Sequence, residues 1–440
     1  IRDSVASRGL GDVYKRQLTG NPVQIGKDSN AVGRTEGQKG GYMPGKYPTI
    51  TYSEEGMREG MQIEDANIAV DDKIKLLDAL GESGLKNIVV GSFVSPRYTP
   101  QMARMDELMS KFTPREGVTY TALALNERGV ERAREYSPPL TLERGAGRPG
   151  LSCHMCDVFV RRNTNRSQMQ EMENWPRIIA RAQETGATEA SIGANASFGS
   201  NFLGDFSVDM YLAMLEHQHA LWEDVGIKVT QASIGDPMGW CHPSKVDEII
   251  YRVKERWPEI THWSLHAHNS RGMAVTSHYA AINALGPDDD LRLDGTIGGF
   301  GGCPYCGNGR ATGMAPTEDV MHMMEGMGID TGVDVDKLID TVWMAEEILG
   351  RQLWGHVSRA GPRPMTKDKL YDINAPFVET LEQVKHFKVG TKAYEGAVYP
   401  WREAISSPYR DRVDQDLPAF EPNGDWPWKE DWFPKPSNQK

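Results

Sequence analysis

Two histidines two positions apart, His266-Ala267-His268, stand at the end of a short apolar run that reads as a strand, His262–Ala267. Alternate side chains of a strand face the same way, so this spacing aims two imidazoles at one point. Converging nitrogens are metal-chelating geometry; a hydrogen-bonded structural pair is the plainer alternative. His217-Gln218-His219 has the same spacing but falls in a helical pattern, where residues two apart do not face each other, and it is expected at the surface. After the first apolar run, Met57-Arg58-Glu59-Gly60 sets a permanent cation beside a carboxylate. Asp236-Pro237 brings another carboxylate after the sixth. After the eighth, Cys303 lies in Gly295–Cys306, where five of twelve residues are glycine, a composition suited to a mobile loop or close backbone approach to a ligand. A surface ion pair and a turn cap are the plainer readings of the first two.

Cys153–Cys156 and Cys303–Cys306 are both Cys-x-x-Cys pairs, which raises a zinc or redox site. The pairs lie about 150 residues apart, and zinc sites use much closer spacings. Read as part of a strand, Leu151–Cys156 would send its two cysteines to opposite faces. Buried small apolar groups are the expectation there.

These groups need a frame. Candidate strands are Thr49–Tyr52, Lys86–Phe93, Thr119–Leu125, Leu151–Cys156, Thr188–Ala194, Lys228–Ile234, His262–Ala267 and Leu291–Thr296. Amphipathic stretches such as Asp71–Glu82, Val208–Glu223 and Ser244–Glu255 lie between them. Eight β-then-α units are the number that closes a (β/α)8 TIM barrel, an α/β fold whose functional groups gather at the C-terminal ends of the strands. The first turn, Gly56-Met57-Arg58-Glu59-Gly60, is not the glycine fingerprint of an open dinucleotide-binding sheet.

The chain has 440 residues, more than the roughly 250 of a lone barrel. Residues 1–17 read as a non-native leader without a signal-peptide core, 18–47 as an N-terminal arm, 48–349 as the catalytic barrel and 350–440 as a C-terminal extension. Four of eleven tryptophans fall in the last forty residues, too aromatic for an ordinary disordered tail. That Trp/Pro-rich extension is expected to wrap the barrel or a neighbouring subunit of a homo-oligomer. With 49 basic and 61 acidic residues the net charge is −12, which argues against nucleic acid as a partner. Mean hydropathy is −0.52 and no apolar run approaches a membrane span. Five cysteines suit a reducing, cytoplasmic setting.

Gly60-Met61-Gln62, Ser92-Phe93-Val94-Ser95-Pro96 with Pro100-Gln101-Met102, Gly235-Asp236, His266-Ala267-His268, Gly301-Gly302-Cys303-Pro304-Tyr305 and Thr317-Glu318-Asp319 occur in that order. In this the chain resembles the hydroxymethylglutaryl-CoA lyase family, within the metal-dependent lyase and Claisen-synthase barrels that carry a pyruvate carboxyltransferase domain. The likeness runs from about Thr51 to Val335. It implies retro-Claisen cleavage of a hydroxyacyl-CoA with a divalent cation, magnesium, manganese or zinc, as cofactor. It further implies that His266, His268 and Glu59 are metal ligands and that Arg58 stabilises the enolate. Asp236 is then a proton relay and Cys303 the loop cysteine, with Gln62, Ser92 and Arg97 on the substrate.

Three positions depart from the family pattern. Glu59 stands for an aspartate, Val89 for a second-strand glutamate and Met314 for a loop asparagine, for which Asn308, in a loop two residues longer, is the candidate substitute as a metal ligand. Val89 and Met314 are expected to make their side of the barrel mouth apolar, disfavouring 3-hydroxy-3-methylglutaryl-CoA. Arg97, Arg161, Arg162 and Arg166 are candidates for CoA phosphates. An aldolase or Claisen-type synthase on a 2-oxo acid, or a metal-free binding barrel, are the rival readings.

Overall fold

A computed structural model describes residues 46–124, 127–141, 148–307, 312–375, 399 and 401–420. The leader, nearly all of the arm, Asn308 and the tryptophans at 426, 428 and 432 lie outside the described residues. Eight parallel strands form one sheet: β1 (Thr49–Glu54), β2 (Asn87–Ser92), β3 (Thr119–Leu123), β4 (Gly150–His154), β5 (Glu189–Asn195), β6 (Lys228–Asp236), β7 (His262–Ala267) and β8 (Asp290–Gly295). The fold is the expected (β/α)8 barrel. Its ladders run β3-β2-β1-β8-β7-β6-β5-β4. Between β3 and β4 no continuous ladder is described, so the ring carries one seam there.

Alternation decides which side chains face the helices. Leu291 and Leu293 of β8, Trp263 and Leu265 of β7, and Ile88 and Val90 of β2 are buried in the layer between strands and helices. Burying each such side chain contributes roughly 1.5–3 kcal/mol. The opposite parity of the same strands carries Ser264 and His266, and Arg292 and Asp294, toward the barrel interior. The sequence text of Leu151–Cys156 misled at its end. β4 stops at His154, and Cys156 is the N-cap of the helix Asp157–Thr164, its sulfur accepting from the Phe159 N–H at 3.3 Å.

At the C-terminal mouth the loops are fastened from below by a buried carboxylate. Glu54, the last residue of β1, accepts hydrogen bonds from the Gly56 N–H (2.8 Å), the Ile297 N–H (3.1 Å) and the Thr317 hydroxyl. Tyr52 Oη lies 2.9 Å from the same threonine. Glu318 accepts from the Gly298 N–H at 2.8 Å. The segment after the helix Val335–Leu349 folds back onto this region, with the Trp354 N–H on the Gly298 carbonyl (2.8 Å) and the Trp343 indole on that of Ser358 (3.0 Å). Gly298 has φ +62°, and a Cβ there would come within 2.5 Å of Leu353, so the extension seats on a site that only glycine leaves open.

Burial is the main influence on both acids, raising Glu54 to about 7 and Glu318 to about 8 against hydrogen bonds that lower them. A raised carboxyl favours the protonated form in the fold. Its stabilisation is complete below about pH 4.5 and fades as pH rises through the folded value. Glu54→Gln is therefore expected to flatten the loss of stability between pH 5 and pH 8 by about 1–3 kcal/mol. Urea midpoints of the two proteins at those pH values check this; parallel curves refute it.

Candidate functional site

β1 gives way to a single π-turn, Gly56–Gly60, closed by the Gly60 N–H on the Glu55 carbonyl at 3.1 Å. Such wide turns are frequent at functional sites. This one turns Arg58 and Glu59 into the same cleft although they are neighbours in sequence. Phe300, fully buried, underpins it, for a Cβ on Gly60 would lie 2.6 Å from that ring. Gly301, at φ +103°, lets the glycine loop lie directly on the Glu59 carbonyl.

Register brings β7 and β8 into line. Leu265 pairs with Leu293, so the next inward residues, His266 and Asp294, are neighbours. The Asp294 carboxylate takes His266 Nδ1 at 2.9 and 3.0 Å, which leaves Nε2 facing the cleft. His268 Nε2 stands 3.2 Å from His266 Nε2 and 3.6 Å from Glu59 Oε1. Donors about 2.1 Å from one cation at ordinary coordination angles are themselves roughly 3.0–3.5 Å apart. The three atoms fit a divalent ion. Among the described residues this is the one group of its kind, with ligand atoms within 4.8 Å of one another, and it includes no cysteine. Burial opposes charge on His266, but Asp294 outweighs it and raises the imidazole to about 9. A proton and a cation compete for such a nitrogen.

Glu59 is braced on both oxygens, by Arg58 on one and by the Gln62 amide on the other at 2.6 Å. Gln62 also donates to the Gly302 carbonyl at 3.1 Å, joining the turn to the glycine loop. Arg58 lies 3.6 Å from Glu55, a buried acid raised by desolvation. The cleft holds about 200 Å³ and is walled on its apolar sides by Phe159, Pro237, Pro304 and Tyr305.

Several expectations are relocated. Arg58, Glu59, Gln62, His266, His268 and Cys303 all line this cleft, whereas Ser92 and Arg97 do not. Ser92 is buried at the end of β2, and Arg97 is exposed beside the Tyr98 ring. Asp236 is wholly buried, accepting from the N–H groups of Met238 (3.3 Å), Trp240 (3.0 Å) and Cys241 (2.6 Å). It fastens a turn, the plainer of its two readings, and does not reach the cleft. Val89 and Met314 are buried and also stand away from the lining, so the apolar character of the mouth comes from other residues. Met314 pairs by its backbone with His268. Arg161 donates to the Asn165 carbonyl and Arg162 to that of Tyr305. His217 is at the surface as expected, but His219 is largely covered, stacked on Trp257, and neither belongs to the metal-binding group. Sequence reasoning missed Glu55, Glu171 and His154; the last ends a barrel strand, which was the signal available.

An eight-stranded barrel with its polar groups at the C-terminal mouth is the frame of the pyruvate carboxyltransferase superfamily. Within it, the chain belongs to the family described as HMGL-like, whose family model matches residues 49–344, and it is a carbon–carbon lyase of that type. It is 30% identical to the hydroxymethylglutaryl-CoA lyase YngG of Bacillus subtilis (strain 168), over 70% of this chain and 96% of that one. It is also 30% identical to the 3-hydroxy-3-isohexenylglutaryl-CoA/hydroxymethylglutaryl-CoA lyase of Pseudomonas aeruginosa, over 70% and 95%. A solved HMG-CoA lyase from Acinetobacter baumannii, in complex with coenzyme A and 3-methylmalate, superposes with a TM-score of 0.56 at 28% identity, covering 72% of this chain and 96% of that one.

Purified protein reconstituted with manganese is expected to hold about one ion per chain by elemental mass spectrometry. The double variant His266→Ala, His268→Ala should lose it, and His217→Gln, His219→Gln should keep it. Equal metal content in both variants would refute the cluster as the site.

Proposed function

We propose that this lyase cleaves a 3-hydroxyacyl-CoA bearing an apolar branch at C3, with a divalent cation held by Glu59, His266 and His268. The observation that carries the reading is the convergence of those three donor atoms beside the Arg58 guanidinium, in a cleft that Phe159, Pro237, Pro304 and Tyr305 line together with Asn163 and Asn195. When bound, the cation supplies Lewis acidity toward the substrate's oxygens. Three protein ligands leave coordination positions open, as catalytic sites do.

The chain's own residues do the rest. Arg58 offers a charge that does not titrate, and it lies where an enolate oxygen forms as the carbon–carbon bond breaks. Glu55 and Glu59 both lie against its Nη1, so the guanidinium is oriented before substrate arrives. Asp294 fixes the His266 tautomer and ring plane, the part a carboxylate behind a ligating histidine plays. Phe159 and Tyr305 exclude water from the branch at C3, while Cys303 stands at the rim on the glycine loop. The P. aeruginosa relative's name includes an isohexenyl-branched glutaryl thioester, which supports a pocket of this character.

Mass spectrometry of the manganese-loaded protein with a panel of branched 3-hydroxyacyl-CoAs and hydroxy-oxo acids tests the reading. Thioesters with a longer apolar branch are expected to exceed 3-hydroxy-3-methylglutaryl-CoA in kcat/KM by about tenfold or more, since each buried methylene is worth roughly 1–3 kcal/mol. Preference for 3-hydroxy-3-methylglutaryl-CoA, or release of products only from CoA-free acids, would refute it. Arg58→Lys should lower kcat far more than it raises KM. A normal kcat with a weakened KM would reduce Arg58 to a substrate clamp.

A further inference from the structure

One imidazole in the cleft belongs to no part of the site described so far. His154, the last residue of β4, lines the cleft with Arg58 and the metal-binding group, but it lies outside that group. Its conformation is fixed from a single five-residue helix, Gln168–Met172. Glu171 takes the ring at Nδ1 (2.8 and 3.0 Å) and also the His154 N–H (3.1 Å), and the Gln168 amide donates to the His154 carbonyl at 2.8 Å. Phe159 packs against the ring at 5.3 Å between centroids. An ionised carboxylate only accepts hydrogen bonds, so Nδ1 carries the proton and Nε2 presents its lone pair. No described residue hydrogen-bonds to Nε2. A purely structural histidine with this much buried surface satisfies both nitrogens; this one leaves the second to the cleft.

Two of the carboxylates nearby are committed, and Cys303, half-buried on the glycine loop, is another proton-bearing group in the cleft lining. Asp236 spends its oxygens on three backbone N–H groups, and Glu59 is held by Arg58 and Gln62. We propose that His154, positioned by Glu171, is the catalytic acid–base of the cleavage. The inference rests on the lyase reading above. Neutral Nε2 takes the substrate's 3-hydroxyl proton, and the O–H pair becomes the new carbonyl bond. The C2–C3 bond breaks, its electrons pass into the thioester as an enolate, and the imidazolium returns the same proton to C2. No proton is gained or lost overall. Glu171 keeps Nε2 aimed and stabilises the transient imidazolium, the arrangement of a carboxylate behind a general base.

The test uses the full manganese-loaded chain and acetyl-CoA in D2O, following deuterium in the acetyl methyl group by mass spectrometry alongside cleavage of the thioester panel. His154→Gln with the parent's metal content is expected to lose exchange about 10²–10⁴-fold, and added imidazole should restore part of it in His154→Gly. Glu171→Gln keeps an acceptor for Nδ1 but not the charge, so it should lower the saturating rate about tenfold without moving the half-saturating acetyl-CoA concentration. Exchange in His154→Gln within about threefold of the parent overturns the assignment. Should His154→Gln lose metal or fail to fold, Glu171→Gln decides, and an unchanged saturating rate there overturns it. A parent that neither exchanges nor cleaves any thioester overturns the lyase reading, and the dyad with it.

Discussion

Everything at the barrel mouth depends on the hydrogen bonds of one carboxylate that water cannot reach. Burying an acid is costly unless each oxygen is met, and Glu54 is met from the π-turn, the glycine loop and the helix that begins at Thr317. Two stretches 243 and 263 residues further on are thereby held to the end of one strand and to the turn that follows it. The Phe300 ring then fills the space under Gly60, and no side chain larger than hydrogen fits between them. Arg58 and Glu59 owe their shared direction to this scaffold rather than to their own contacts.

The metal-binding group shows the same logic in its electrostatics. Glu59 and Asp294 bring two negative charges, Arg58 one positive charge, and the two imidazoles are neutral when they offer lone pairs. A divalent cation completes a nearly balanced set. Against the effect of burial, Asp294 and then Glu59 favour a proton on His266, so a cation entering the set displaces that proton.

The strands were legible because short runs of four to eight residues recur at a roughly regular interval, and each of the eight is found within a residue or two of its run. His266 and His268 followed from the same rule once their strand was placed. Legibility failed wherever contacts join distant elements. Nothing in Gln168–Met172 announces that Glu171 returns to a histidine seventeen positions earlier. The π-turn was invisible because it depends on a buried glutamate and a phenylalanine some 240 residues on, not on local periodicity. Asp236 matched a family motif, yet its surroundings are three amide hydrogens, and sequence alone does not distinguish a carboxylate facing substrate from one facing its own turn. For Ser92 and Arg97 a shared motif likewise did not ensure a shared cleft.

The seam between β3 and β4 bears on how each wall of the cleft is held. Where a ladder runs, as over the seven paired positions between β5 and β6, slipping the strand by one residue sends its side chains to the wrong face. Among the described residues no such ladder joins β3 to β4. β4 borders this gap, and it ends in His154. That wall of the cleft is therefore tied to the sheet from one side, through β5, while the strand carrying His266 is laddered on both sides.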